Sequence, residues 1–299
     1  MFDHKKKLVA LLVATCLSAS AVQADELTGT LKKIKEQGTV TLGYRDASLP
    51  FSYLNDAQQP IGYSIDLCQK IVDQIKVKVG EPNLKTQYVS VVAATRTPLL
   101  INGTIDLECG VTTNTVERQK QISFLLTSYV ASAKYAVKKT AGINSVADLK
   151  GKAVVVITGG SGEWITKNLD REKSLGLKIL NAKDGGEAFL MLETGRAAAY
   201  INDDVQLMAT IAQSRNPTGY TLLPEPMSAE PYAIGIRKND PQFKSFADDV
   251  LRNLYSTGVI DAQYPKWFEQ PIPPKNAVIN LPMSEALKEA IAHPNDTGV

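Results

Sequence analysis

Residues 153–169 read AVVVITGGSGEWITKNL, and this stretch decides the fold. The apolar run at 153–157 is typical of a strand that is buried on both faces of a parallel sheet. A glycine-rich turn at 158–162 then leads into a helix that starts at Glu163. Because strand, turn and helix follow one another directly, the stretch predicts an α/β unit with a crossover connection.

The same order of strand and helix recurs on both sides of that stretch. Towards the N-terminus, residues 40–44 alternate as in a half-buried strand, and the apolar residues between 65 and 75 share one helical face. Towards the C-terminus, 187–194 reads as a helix and 197–201 as a strand. Sheets of this class bind ligands beyond the carboxyl ends of their strands. The candidates at such ends are Arg45, residues 111–113, residues 158–161 and Asp203.

The composition is that of a soluble globular protein. The 299 residues include 33 Lys and Arg against 31 Asp and Glu, and 44% are hydrophobic. These values exclude a disordered chain, a collagen-like repeat and a polytopic membrane protein. A net charge of +2 disfavours nucleic acid as a partner. The length predicts two domains.

The N-terminal segment has the layout of a secretory signal peptide. Basic residues at 5–7 precede an apolar run at 8–17, and small residues lead to a cleavage site after Ala24. The run is too short to span a bilayer. We therefore predict a signal peptide over 1–24 and a periplasmic protein. Lipid attachment at Cys16 is the less favoured alternative.

Loss of that segment would leave few residues suited to catalysis. His293 would be the only histidine, and Cys68 and Cys109 the only thiols. Ser-His-Asp triads, Cys-His dyads and histidine-based zinc sites need a histidine inside the fold. We therefore predict a binding protein without catalytic residues, metal or cofactor. The spacing of the cysteines does not establish the Cα separation that a disulfide needs, and we favour two buried free thiols over a disulfide.

Several longer segments carry a resemblance to one protein family. They are GYRDASLPFSY (43–53), NGTIDLECGVTTNTVERQKQISF (102–124), DLKGKAVVV (148–156) with TGGSGE (158–163), GRAAAYINDD (195–204) and KWFEQPIPPKN (266–276). Together they resemble the periplasmic amino-acid-binding proteins of ABC importers, and most closely the glutamate/aspartate-binding proteins. The resemblance covers essentially the whole chain after residue 24.

The resemblance implies the two-lobe, type II periplasmic binding protein fold of the α/β class. Each lobe would be a mostly parallel sheet flanked by helices, with the ligand between the lobes. The first lobe would comprise 25–131 and 229–299, and the second 132–228, with hinge strands at 129–133 and 228–232. The implied protein is a monomer that captures an amino acid and delivers it to an ABC permease in the inner membrane.

The resemblance also assigns residues to the α-carboxylate of the ligand. Arg118 matches the arginine that grips this carboxylate, and its planar fork suits both oxygens. Thr113 matches a hydroxyl donor to the same group. Gly160 and Ser161 lie at a helix start, where free backbone N–H groups favour an anion.

Two further positions match the residues that hold the α-ammonium. Asp203 matches the acid that pairs with it, and the strand-end register favours Asp203 over Asp204. The backbone carbonyl of Val111 would be a second acceptor. Val111 stands where the family has a serine, so only the carbonyl is retained.

The remaining matches concern the ligand's own side chain. Arg45 and Arg96 match arginines near it, and two buried guanidinium groups need an anionic partner. The implied ligand is therefore glutamate or aspartate. Ala93 and Gly185 replace a serine and a histidine of the acidic-ligand pattern, which removes polar contacts and would open space there. The alternatives are a neutral polar ligand, glutamine or asparagine, a dehydratase-like enzyme on the same fold, and a sensory module that needs a separate membrane partner.

Overall fold

The structure, a computed structural model, describes residues 26–299. The predicted signal peptide lies outside the described residues. Two β-sheets, each flanked by helices, form two lobes, which confirms the predicted two-lobe α/β fold. Both sheets are mixed, however, and not mostly parallel as expected, because β8 and β14 run antiparallel to their neighbours.

The first sheet is mixed, with one interior strand antiparallel to both of its neighbours. In their order across the sheet the strands are β5 (Lys85–Ser90), β1 (Thr39–Tyr44), β6 (Leu107–Glu108), β14 (Gly235–Ile236) and β7 (Ser123–Phe124). Strand β1 runs parallel to β5 and β6, whereas β14 is antiparallel to β6 and β7. Val40 and Leu42 on β1 are fully buried, but Thr41 and Gly43 between and beside them are buried as well, so the prediction of a half-buried strand is wrong.

The second sheet is built around the strand at the start of the stretch 153–169. Its strands in order are β10 (Lys178–Ala182), β9 (Ala153–Ile157), β11 (Ala199–Asp203), β8 (Tyr129–Lys138) and β12 (Tyr220–Leu222), with β13 (Ser228–Tyr232) also paired to β8. Strand β9 lies between β10 and β11 and runs parallel to both. Val154, Val155 and Val156 are fully buried, so the prediction of a strand covered on both faces is confirmed.

A small sheet and the helices complete the fold. The small sheet contains β2 (Ala47–Ser48), β3 (Ser52–Leu54) and β4 (Pro60–Ile61). The α-helices are α1 (Gly29–Gln37), α2 (Tyr63–Val79), α3 (Arg96–Ile101), α4 (Val116–Gln119), α5 (Ser161–Lys173), α6 (Gly185–Glu193), α7 (Asp204–Ala212), α8 (Pro241–Ser256), α9 (Val259–Phe268) and α10 (Glu285–Ala292). Short 3-10 helices span Lys139–Ala141, Val146–Leu149 and Pro217–Gly219. None of the helices within 26–299 is long and apolar enough to cross a membrane.

The chain passes between the two sheets along β8 and returns along β13. The two strands are paired antiparallel from Ser228 opposite Ala133 to Tyr232 opposite Tyr129. An aromatic cluster lies under this ladder, with the ring of Phe51 4.8 Å from that of Tyr129 and 5.1 Å from that of Tyr232. Edge-to-face contacts of this kind add to the stabilisation from burial. The domain limits given above stay a prediction.

The prediction of two free thiols is wrong. Cys68 on α2 and Cys109 just after β6 form a disulfide, with their Cα atoms 6.2 Å apart. Both residues are fully buried. The spacing along the chain could not reveal this pairing, because it depends on how helix α2 packs against the sheet.

We expect the Cys68→Ala/Cys109→Ala protein to be less stable by about 4 kcal/mol, the chain-entropy value for a closed loop of 41 residues. Urea unfolding without reductant measures the difference. Wild-type protein pretreated with reductant should lose a similar amount. Alkylation of denatured, unreduced wild-type protein at both cysteines would contradict the disulfide.

Candidate ligand-binding cleft

A narrow cavity lies between the two sheets, at the carboxyl ends of their parallel strands. Strand β1 leads into Arg45, β9 leads into the turn before Ser161, and β11 ends at Asp203. Of the eight predicted site residues, seven line this cavity: Arg45, Arg96, Val111, Thr113, Gly160, Ser161 and Asp203. The eighth, Arg118, lines an adjoining outer groove together with Gly160 and Ser161. The prediction that strand ends converge on one site therefore matches the observed placement.

Arg118 bridges the two sides of the cleft. Its Nη1 donates to the carbonyl of Thr113 at 2.9 Å, and its Nη2 donates to the carbonyl of Gly159 at 3.3 Å. The Thr115 hydroxyl caps α4 by accepting from the backbone N–H of Arg118, which fixes the start of this side chain. Burial, and secondly the charge of Arg96, lower the pKa of Arg118 to about 10. The guanidinium is still charged at neutral pH and suits an anion at the cleft mouth.

The turn before α5 brings the two lobes into contact. Gly159 has φ +77°, and a Cβ there would lie 2.9 Å from the Cα of Ala94 in the other lobe. Only glycine fits such a backbone conformation at so close an approach. Its N–H donates to Glu163, and the N–H of Gly160 donates to Ile157. The N–H of Ser161, at the first position of α5, has no such partner among the described residues and is free for an anion.

Thr113 presents a different set of groups from the one predicted. Its hydroxyl donates to Glu230 Oε2 at 2.5 Å, so its single proton is already engaged. The hydroxyl oxygen keeps its capacity to accept. The backbone N–H of Thr113 has no acceptor within 26–299, because the bridge to Tyr232 uses the N–H groups of the flanking residues instead. Thr113 thus offers its backbone N–H to a carboxylate and its Oγ1 to an ammonium.

Asp203 lies in a buried polar cluster. Its Oδ2 accepts hydrogen bonds from the hydroxyl of Tyr232 and from Gln206 Nε2, the latter at 3.2 Å. Burial, and secondly the charge of Glu230, raise the pKa of Asp203 to about 7. The neighbouring Asp204 accepts instead from the backbone N–H of Ser132 and does not line the cavity. The register argument for Asp203 over Asp204 therefore agrees with the observed positions.

The side-chain end of the cleft holds two buried cations. Arg45 and Arg96 are each only 3% exposed. Arg96 Nη1 donates to the carbonyl of Val111 at 3.3 Å, so part of that carbonyl's capacity is already used. Within residues 26–299, neither guanidinium has an acidic partner within 4.0 Å. Burial lowers the pKa of Arg45 to about 10, with a further decrease from Arg96 and an opposing effect from Glu108.

Ala93 and Gly185, the two departures from the acidic-ligand pattern, have different surroundings. Ala93 lines the cavity, so loss of a serine hydroxyl there removes a polar group from the site. The expectation that Gly185 opens space is wrong. A Cβ on Gly185 would lie 3.3 Å from both the carbonyl oxygen of Ala47 and the hydroxyl of Tyr200. The position is filled by these neighbours and does not line the cavity.

Some residues at the site were missed from the sequence. Those that line the cavity include Ser48, Asn202 and Gln206. Buried acids beside it are Glu108 and Glu230. Glu108 left a signal, since it is a charged residue between the apolar Leu107 and Cys109 of the matched motif. Glu230 left no signal in the sequence, because its position depends on the pairing of β13 with β8.

Comparison with known proteins matches the chain to a family of solute-binding proteins. Residues 40–270 match the bacterial extracellular solute-binding proteins, family 3. The chain is 48% identical over 290 residues to the L-glutamate/L-aspartate-binding protein of Pseudomonas aeruginosa, covering 97% of this chain and 96% of that one. It is 39% identical over 295 residues to the glutamate/aspartate import solute-binding protein of Escherichia coli, covering 97% and 98%.

A solved structure shares the fold at lower identity. It is that of the ancestral amino acid-binding protein AncCDT-1, a precursor of cyclohexadienyl dehydratase. The two superpose with a TM-score of 0.69 at 27% identity, covering 81% of this chain and all of the ancestral one.

Proposed function

Because the chain belongs to the bacterial extracellular solute-binding proteins of family 3, we propose that it captures glutamate or aspartate between its lobes and delivers it to an ABC permease. The observation that carries the choice of ligand is the pair of buried guanidinium groups of Arg45 and Arg96. A buried cation without a partner is unfavourable, so the cleft favours a ligand that brings an anion to this end.

The head group of the ligand fits the opposite end. The α-carboxylate would accept from the Arg118 guanidinium and from the N–H groups of Thr113 and Ser161. The α-ammonium would donate to Asp203, to the carbonyl of Val111 and to Oγ1 of Thr113. Each partner then has the charge or the free hydrogen-bonding group that the ligand requires. Any α-amino acid shares this head group, so selectivity depends on the arginine end.

We infer that the protein is a receptor and not an enzyme. The relatives reported above are named as binding proteins. The ancestral structure connects the fold with a dehydratase, which keeps that chemistry as the rival. Asp203 is a carboxylate of the cleft, and the proposed ligand ammonium engages it. Turnover of arogenate or prephenate by the purified protein would favour the enzyme.

Other expectations belong to the same proposal. The receptor works as a monomer in the periplasm, after cleavage of residues 1–24, and takes no nucleic acid partner. Its lobes are 25–131 with 229–299, and 132–228. The hinge strands are 129–133 and 228–232, and their unbroken pairing in β8 and β13 supports this assignment.

A thermal-shift screen of ligand-stripped protein against the common amino acids tests the function. A ligand that binds only the folded state stabilises it by about 2.7 kcal/mol at a hundredfold excess over Kd. Glutamate and aspartate should give the largest shifts, and lysine none. Larger shifts with glutamine or asparagine would replace the acidic ligand by a neutral one.

We expect affinity to fall as the pH falls below about 7, by up to about tenfold per unit, because the ligand ammonium needs an ionised Asp203. Below its raised pKa, this carboxyl is protonated in the free protein and must release the proton on binding. Calorimetry at pH 6.5 in two buffers of different ionisation enthalpy measures that release. The raised pKa also means that the folded, ligand-free state binds more protons than the unfolded state, so its stability should decrease as the pH rises towards 7. A binding reaction that releases no proton would contradict this role.

A further inference from the structure

One buried carboxylate beside the cleft has no role in the binding scheme above. Glu108 is 1% exposed and lies at the end of β6, opposite Gly43 of β1. Its Oε2 accepts a hydrogen bond from the hydroxyl of Thr112 at 2.5 Å. Its Oε1 is buried and has no hydrogen-bond partner in the part of the chain that the structure describes. An unpartnered buried carboxylate oxygen is unfavourable unless nearby positive charge stabilises it.

The positive charge next to Glu108 comes from the arginine end of the cleft. A Cβ on Gly110 would lie 2.3 Å from Glu108 Oε1 and 2.9 Å from Arg45 Cγ, so these two side chains meet over the same glycine. The negative charge of Glu108 also counters the lowering of the pKa by burial at Arg45 and Arg96. The carboxylate therefore acts on both arginines without forming a direct ion pair with either at 4.0 Å or less.

A second acid near Arg45 contributes less. Asp184 caps α6 by accepting from the backbone N–H of Glu187, and it lies 3.8 Å from the exposed ammonium of Lys183. Its charge is partly solvated and already shared with other groups. Two other buried acids, Asp203 and Glu230, act on Arg96 but not on Arg45. Glu108 is thus the buried acid whose charge acts on both arginines.

We propose that Glu108 sets the charge that the cleft accepts from a ligand side chain. Two guanidinium groups and one carboxylate leave this end with a net charge of +1, which a side chain carrying one negative charge neutralises. A side chain with two negative charges leaves an excess buried anion, and a neutral one leaves an excess buried cation. Glu108 is in this sense a specificity-determining residue for singly charged acidic amino acids, an assignment that rests on the proposed function.

Two glutamate analogues separate charge from shape. L-Homocysteate carries a sulfonate and L-2-amino-4-phosphonobutyrate a phosphonate in place of the γ-carboxylate, and both groups are tetrahedral. The sulfonate keeps one negative charge. The phosphonate loses its second proton near neutral pH, as a phosphate does, and carries close to two charges at pH 8. The ratio of their dissociation constants therefore reports on charge at constant shape.

In wild-type protein, we expect the phosphonate to weaken relative to the sulfonate by up to about tenfold between pH 6 and pH 8, which is the decrease in its singly charged fraction. The effect of pH on the protonation of Asp203 cancels in this ratio, because both ligands share the head group that contacts it. In Glu108→Gln, which keeps the size of the side chain and an acceptor for Thr112, the pH 8 ratio should shift towards the phosphonate by at least about tenfold. Glu285→Gln changes an exposed residue that pairs with Lys288, and it should leave the ratio unchanged.

The outcomes separate this role from the proposed function. A wild-type ratio that does not change with pH overturns the role of Glu108, even if the Glu108→Gln protein does not fold. An unchanged ratio in a folded Glu108→Gln protein, or a shift towards the sulfonate, also overturns it. The proposed function is tested separately in the wild-type protein. Stronger binding of glutamine than of glutamate would contradict it.

Discussion

Amino-acid binding is expected to be lost when Asp203 is replaced by asparagine or Arg118 by alanine, while the protein stays folded. Each change removes one partner of a charge pair with the ligand head group, which weakens binding by roughly 3–5 kcal/mol, about two to three and a half orders of magnitude in Kd. Calorimetry with glutamate, aspartate and glutamine measures the loss. All three ligands should be affected equally, because they share the head group.

Neighbouring residues provide matched controls for these variants. Asp204→Asn changes an acid that accepts from Ser132 outside the cavity, so affinity should stay close to that of the wild type. Arg171→Ala changes an arginine of α5 whose Nη2 donates to Asn168, away from the cleft. Near-wild-type affinity in Asp203→Asn would show that the ammonium is held elsewhere. Loss of binding in Asp204→Asn alone would reassign the role to that residue.

Methionine in place of Arg45 or Arg96 should remove the preference for acids over amides. A hydrogen bond to a charged group contributes about 1.5–3 kcal/mol, so glutamate should bind roughly ten- to a hundredfold more weakly. Glutamine should change little, because it brings no charge to this end. A competition series with the two ligands gives the ratio directly, and the double variant shows how strongly the arginines are coupled.

An exposed arginine serves as the control for selectivity. Arg252→Met removes a residue that pairs with Asp249 on the surface of α8, and the ratio should not change. If glutamate keeps its advantage over glutamine in both Arg45→Met and Arg96→Met, the protein still binds acidic amino acids. The proposal that these two arginines recognise the acidic side chain would then be wrong.

The fold could be predicted because its strands and helices follow from residue patterns within short segments of the sequence. The apolar run of β9 followed by a glycine-rich turn predicts a buried strand and a helix start, and the structure has both. Strand-end residues such as Arg45 and Asp203 could be placed in one cleft by the same rule, since the carboxyl ends of parallel strands share an edge. The motif match added Arg118, which no periodicity singles out.

The features that were missed depend on contacts between distant segments. The disulfide requires α2 to pack against the end of β6, and Glu230 reaches Thr113 only because β13 pairs with β8. The crowding around Gly185 comes from Ala47, which lies far away in sequence. A pattern within one segment carries no information about such neighbours, so the roles of Thr113 and Gly185 could not be judged from the sequence.

The strand order of the first sheet has a consequence for how the protein is made. Strand β14 lies between β6 and β7, and among residues 26–299 β7 pairs with the sheet through β14 alone. A growing or translocating chain therefore cannot complete this sheet until residue 236 has emerged. By then all the strands that pair in the second sheet, through Tyr232, are already available. Vectorial folding should thus finish the second sheet first and leave the first sheet, with its share of the cleft, as the last part to assemble.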